Sequence, residues 1–143
     1  WLPAVQGNHN HLVRLFQNLL SNALKYRSLR AVKIHVTAAR RGSDWLIQIK
    51  DNGVGIAPEN QDRIFSPFTR LVNHEIPGTG LGLAVCKQIL EGMSGSIWVE
   101  SELGVGTTFC FTIPGEPKGR LIPMIAQGAS ASEHVLPARK NQR

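Results

Sequence analysis

The sequence predicts an α+β fold, a two-layer α/β sandwich in which a mixed β-sheet carries its helices on one face. Three observations carry the prediction. Two long segments, 12–23 and 81–90, repeat apolar residues at helical spacing. Several short segments alternate apolar and polar residues, and turn-forming residues join them in pairs. Read in order, the elements run βαββ, an irregular segment, then αββ. A length of 143 residues is that of one domain with a real core.

Residues 5–7 read as the end of a strand. Asn8 is placed to cap a helix, and Leu12, Leu15, Phe16, Leu19, Leu20 and Ala23 then recur through Tyr26. Val32, Ile34 and Val36 alternate as a strand, residues 40–44 form a hairpin turn, and Trp45, Ile47 and Ile49 alternate as its partner. Pro58 begins a short helical turn. Residues 69–80 are polar and turn-rich and read as a loop without regular structure, a short lid. Residues 83–93 are helical again. Ile97, Trp98 and Val99 form a strand, residues 104–106 turn, and residues 108–113 make the last strand before Pro114-Gly115. The domain is therefore expected over 1–115. Residues 116–143, with scattered charge and little periodicity, read as a flexible tail. The chain opens at Trp1-Leu2-Pro3 without an initiator Met, which reads as an N-terminally truncated piece of a longer protein.

Composition narrows the function. At 42% hydrophobic the chain is ordinary globular material. No apolar run reaches the ~18 residues of a membrane span. The net charge of +6 is uneven: residues 1–50 hold eight Lys/Arg against Asp44 alone, while 51–100 hold three against six acids. The basic half fits an anionic ligand or acidic partner and equally a solvated face. No recognition motif or aromatic stacking series accompanies it, so no nucleic-acid partner is expected. Cys86 and Cys110 lack metal-ligand spacing and read as two reduced, buried thiols, which fits a reducing, cytoplasmic setting.

Four clusters carry chemistry. Asn18, Asn22, Lys25 and Tyr26 fall along one helix stripe. Amide oxygens suit the shell of a hard cation such as Mg²⁺, Lys25 can pair a phosphate, and Tyr26 offers a ring and a hydroxyl. The same stripe would serve as the wet face of an amphipathic helix. Asp51 ends an apolar strand, where its carboxylate can accept from the exocyclic amine of adenine. Gly53 and Gly55 let the backbone pass close to a flat base, although Asp-Asn-Gly is also a common turn. Gly78-Thr79-Gly80-Leu81-Gly82-Leu83 is a glycine loop at a helix N-terminus, where backbone N–H groups are free for phosphate. It is neither a Walker loop, lacking GK[ST], nor a Rossmann turn, lacking a strand before it. Finally, Phe65, Pro67 and Phe68 read as an anchor for the base of the loop. Arg70 stands at the loop's edge, either solvated or within reach of a terminal phosphate.

In order, residues 8–26, 51–58, 64–70, 78–93 and 104–113 resemble the N, G1, F and G2 boxes and closing strand of the histidine kinase catalytic and ATP-binding domain. That domain is part of the GHKL, or Bergerat-fold, superfamily. The likeness is nearly letter for letter at Asn18-Leu19-Leu20-Ser21-Asn22-Ala23-Leu24-Lys25-Tyr26 and in the glycine loop, and it spans most of 4–114. It implies a two-component sensor kinase module holding Mg²⁺ and ATP. By the resemblance, Asn22 ligates Mg²⁺ with Asn18 in support, Lys25 contacts phosphate and Tyr26 lines the adenine. Asp51 takes the adenine amine with help from Thr107, directly or through water. Gly53, Gly55, Gly78, Thr79, Gly80, Leu81 and Gly82 shape the pocket and phosphate cradle, and Arg70 approaches the γ-phosphate.

Gyrase-like relatives carry a water-activating glutamate where this chain has Asn18. A neutral amide takes no proton, so transfer to an outside nucleophile is expected rather than hydrolysis. None of the five histidines has the setting of a phosphoacceptor. The resemblance therefore places the acceptor histidine on a dimerisation domain of a homodimeric parent, which passes phosphate to a response regulator; the fragment itself is expected to be monomeric. A docking module without phosphotransfer and a slow ATPase are the rival readings. Ser94 departs from the pattern, standing where a second glycine often closes the helix.

Overall fold

A computed structural model describes residues 2, 3, 5, 7–69 and 78–115. The elements are α1 (His9–Lys25), β1 (Ile34–Arg41), β2 (Asp44–Asp51), α2 (Pro58–Gln61), α3 (Gly82–Gly92), β3 (Ile97–Glu102) and β4 (Gly106–Pro114). Asn8 caps α1 as expected: its side-chain oxygen accepts from the N–H groups of Asn10 at 2.9 Å and His11 at 3.3 Å. Of the loop expected at 69–80, residues 70–77 lie outside the described residues, as does the expected tail at 116–143; residues 69 and 78–80 carry no helix or strand.

The strands form one sheet in the order β1-β2-β4-β3, and all three pairings are antiparallel. Among the described residues the sheet is therefore antiparallel rather than the expected mixed one, within the same α+β architecture. The crossover through α3 does deliver β3 in the same direction as β2, but β4 inserts between them and runs opposite to both. Among the described residues, the strand end expected at residues 5–7 does not form. Val5 packs against the core without entering a strand, and Gly7 sits in a bend. Ser94 adopts φ 59°, the left-handed conformation that a glycine would take more easily, and the Gly95 N–H closes the helix on the Leu90 carbonyl at 2.7 Å.

Register sorts the side chains into rows, because alternate residues face the same side. One row aligns Ala38, Ile47, Phe111 and Ile97, and the next aligns Val36, Ile49, Phe109 and Val99. These rows face α1 and α3. Leu15 and Leu19 from α1, Cys86, Ile89 and Leu90 from α3, and Ile64 and Ile113 complete the buried cluster. Burial of each large side chain here is worth about 1.5–3 kcal/mol. Phe16 meets Phe111 edge-on at 5.8 Å, and Phe65 meets Phe109 at 6.4 Å. Phe65 is thus the expected anchor. Phe68 is not: it is 75% exposed and held at φ 61°. Its N–H donates to the Gly80 carbonyl at 3.0 Å, and that tie turns its ring away from the core.

The last row on this face carries three polar residues. Ile34, Asp51, Thr107 and Ser101 stand side by side across four strands, one from each. The apolar layers end there, and the space between the sheet end and the helices becomes the site. Both cysteines are buried and unpaired, and burial pushes the Cys86 thiol up to about 11. Among the described residues, no helix is long and apolar enough to cross a membrane.

Candidate functional site

The site begins at α1. Its buried face is Leu15, Leu19 and Ala23, so the stripe beside it, Asn18, Ser21, Asn22 and Lys25, is turned along a cavity rather than into the core. Asn18 donates its amide N–H to the carbonyl of Gly82 at 3.2 Å, latching α1 to the first turn of α3. The amide of Asn22 faces the cavity, and among the described residues nothing bonds it. The Lys25 ammonium lies over Gly78, 3.6 Å from where a Cβ on that glycine would stand. At the end of the helix, the Tyr26 carbonyl accepts from Val54 N–H at 2.9 Å. A Cβ on Gly53 would land on that same carbonyl oxygen, so glycine is what lets the loop after β2 close onto α1.

Asp51 is the buried acid of the site, 8% exposed. Its Oδ1 accepts from the Gly53 N–H at 2.8 Å and from the Thr107 N–H at 3.3 Å. That leaves Oδ2 as the carboxylate's spare acceptor, in a residue that lines the cavity. Burial raises the Asp51 pKa, and the two backbone hydrogen bonds pull it back only in part. Thr107, 7% exposed, stands next to it in the same row.

The opposite wall is the glycine loop and α3. Leu81 is the N-cap, and no side chain caps the helix. Val85 N–H is bonded to the Leu81 carbonyl at 2.9 Å, and among the described residues the earlier N–H groups of the turn have no partner. With the partial positive charge of the helix end, they make an anion-binding turn. Gly80 adopts φ 71°, and a Cβ there would meet the backbone of Phe68 at 2.9 Å. Gly55 adopts φ 76° against the Glu102 carbonyl. Both positions require glycine.

One cavity of about 210 Å³ gathers these groups. Of the predicted residues, Asn18, Asn22, Lys25, Tyr26, Asp51, Gly55, Gly78, Thr79, Gly80, Gly82 and Thr107 line it. Gly53 and Leu81 stand behind it, one holding Asp51 and the other beginning α3. Arg70 lies outside the described residues. The sequence reading missed Ser21, which shares the stripe of Asn18 and Asn22. It also missed the apolar walls Val54, Ile56, Ile64, Leu83 and Phe109, which carry no local signal separating them from ordinary core.

The chemistry of this cavity is that of a purine nucleotide site: a carboxylate acceptor, an apolar slot, a lysine and a turn of free N–H groups. The donor set also fits a hard cation. Among the described residues, no group of three or more His, Cys, Asp or Glu could form a metal cage. A single amide oxygen from Asn22 is the kind of sparse protein ligand that Mg²⁺ takes when phosphates supply the rest.

Comparison with known proteins points the same way. Residues 7–117 match the family described as histidine kinase-, DNA gyrase B-, and HSP90-like ATPase. The chain is 53% identical over 114 residues to cyanobacterial phytochrome A of Nostoc sp. (strain PCC 7120), which covers 79% of this chain but only 15% of that protein. Among solved structures, the mycobacterial sensor histidine kinase MprB aligns with a TM-score of 0.71 at 29% identity, over 79% of this chain and 78% of that one. Full-length ShkA, solved in complex with AMPPNP, aligns with a TM-score of 0.68 at 32% identity, over 79% of this chain and 23% of that one.

Proposed function

We propose that this chain, which belongs to the family of histidine kinase-, DNA gyrase B- and HSP90-like ATPases, is the ATP-binding catalytic module of a sensor histidine kinase. It holds Mg²⁺-ATP and presents the γ-phosphoryl group to a histidine on a dimerisation domain outside this chain. One observation carries the reading: Asp51 and the uncapped first turn of α3 line the same cavity, with Asn22 and Lys25 beside them. A relative in the same fold, ShkA, was solved with an ATP analogue, which supports the choice of nucleotide.

Each residue then has a task. Asp51 accepts the adenine amine through Oδ2, and Thr107 assists. Tyr26, Val54 and Ile56 border the base. Lys25 and the N–H groups at the start of α3 hold the phosphates, and Arg70 approaches the γ-phosphate. Asn22 would hold Mg²⁺, with Asn18 in support; the ion supplies charge neutralisation to the triphosphate. In the transfer, an imidazole nitrogen bonds to the γ-phosphorus as the bond to the β–γ bridging oxygen breaks, and ADP leaves with that electron pair. The protein contributes position and charge, and the step needs little else from it.

Asn18 favours transfer over hydrolysis. It is neutral, and its N–H is already committed to the Gly82 carbonyl. Asp51 is the one carboxylate among the described lining residues, and it is held by backbone at the base-binding row. Among the described lining residues, no group is placed to deprotonate water. The parent acts on the cytoplasmic side, as a homodimer that passes phosphate to a response regulator.

Two experiments test the reading. With γ-labelled ATP and the parent's acceptor domain, the module yields acid-labile, base-stable phosphohistidine. Binding without any transfer would instead favour a docking module. Second, ATP affinity falls as pH drops through the raised pKa of Asp51, because protonation removes the acceptor. The loss begins at a higher pH than an ordinary aspartate would impose. Titrations across pH check this, and an affinity flat down to pH 4 would contradict it.

A further inference from the structure

The hydroxyl of Ser101 sits at a junction of three hydrogen bonds. It accepts from the Ile56 N–H at 2.8 Å, donates to the Gly106 carbonyl at 2.9 Å, and lies 2.9 Å from the hydroxyl of Thr107. A serine hydroxyl has one proton and two lone pairs. A carbonyl oxygen can only accept, so the single Ser101 proton goes to Gly106. The bond to Thr107 must then run the other way, with the Thr107 hydroxyl donating to Ser101. That spends the one side-chain proton of Thr107, and its oxygen faces the cavity as an acceptor only.

Thr107 stands directly beside Asp51 in the polar row, and Ser101 stands directly beside Thr107. Asp51 is itself an acceptor, with Oδ1 filled by two backbone N–H groups. We infer that Ser101 is a positioning residue for base selectivity: it fixes the Thr107 proton so that the row offers two acceptors, which takes a purine with a C6 amine and rejects one with a C6 carbonyl. The inference rests on the nucleotide reading of the cavity and extends it to a residue outside the lining. It also explains why a hydroxyl is placed here at all. Ser101 pins the loop after β2 through Ile56, and Gln61 adds a second tie by donating to the Ser101 carbonyl at 2.9 Å. The polarity of Thr107 is therefore set by the same contact that holds the base-facing loop in register.

The test compares ATP with inosine triphosphate, in which a carbonyl replaces the amine at C6 and N1 carries a proton. Binding of both is measured to the whole chain, with thermal unfolding run on every variant. The wild-type protein prefers ATP. In Ser101→Ala the Thr107 hydroxyl is released to rotate and donate, so the ATP-to-ITP affinity ratio falls about three- to ten-fold, the scale of one net hydrogen bond. Ser101→Thr, which restores the hydroxyl, keeps the wild-type ratio. If alanine does not fold, Ser101→Cys gives the same reading, since a thiol is a weak donor and acceptor. Equal weakening of both nucleotides, or an unchanged ratio in the alanine and cysteine variants, would overturn the inference and leave the nucleotide site standing. Failure of the wild-type protein to bind either nucleotide would overturn both.

Discussion

Asp51→Asn is expected to lose ATP affinity by about 100-fold while the domain stays folded, the scale of a charge-assisted hydrogen bond lost together with a mismatched donor. The geometry separates the two outcomes. An asparagine oxygen can keep both backbone bonds that Oδ1 now accepts, from Gly53 and Thr107. The other position becomes an N–H₂ group, which faces the adenine amine donor to donor. Stability should not fall. The Asp51 pKa is raised in the fold by burial. A group of that kind stabilises below its unfolded pKa, and the contribution is lost as pH rises through the folded value. At neutral pH the ionised carboxylate is therefore a cost, and the neutral amide relieves it. Titration of nucleotide, together with thermal unfolding, checks both halves. ATP affinity within two-fold of wild type would remove Asp51 from the base site.

Asn22→Ala is expected to cut phosphoryl transfer to the acceptor domain by about 10²–10³, the range seen when one preorganised electrostatic contact is removed. Adenine recognition should largely survive, because Asn22 belongs to α1 and Asp51 to the end of β2. The Asn22 side chain has no hydrogen bond among the described residues to lose, unlike that of Asn18, whose amide ties α1 to Gly82. The measurement is single-turnover transfer at saturating ATP over a range of Mg²⁺. The account predicts a lowered maximal rate and a steeper demand for Mg²⁺. An unchanged rate would show that this amide serves neither metal nor phosphate.

Much of the site was legible because its chemistry is local. Asn18, Asn22, Lys25 and Tyr26 share a stripe by helical periodicity alone, and the structure places all four on the cavity. Asp51-Asn52-Gly53 looked like a turn, and it is one; the added content is that Gly53 and Asp51 bond each other. Thr107 carried no signal in spacing or composition. It reached the site by resemblance, because its partnership with Asp51 depends on the pairing of β2 with β4, 56 residues apart. The same long-range pairing hid the insertion of β4 that makes the sheet antiparallel. Ser101 was invisible for that reason too, since its role exists only in the row it shares. Phe68 was misread because aromatic residues usually anchor, and nothing local announced the positive φ that turns it outward.

A crystal structure of this chain with AMPPNP and Mg²⁺ tests the central claim most directly. The base is predicted against Asp51 and Thr107, with the phosphates at Lys25 and the first turn of α3, and the metal at Asn22. Nucleotide density anywhere other than the cavity between α1 and the glycine loop would contradict the account.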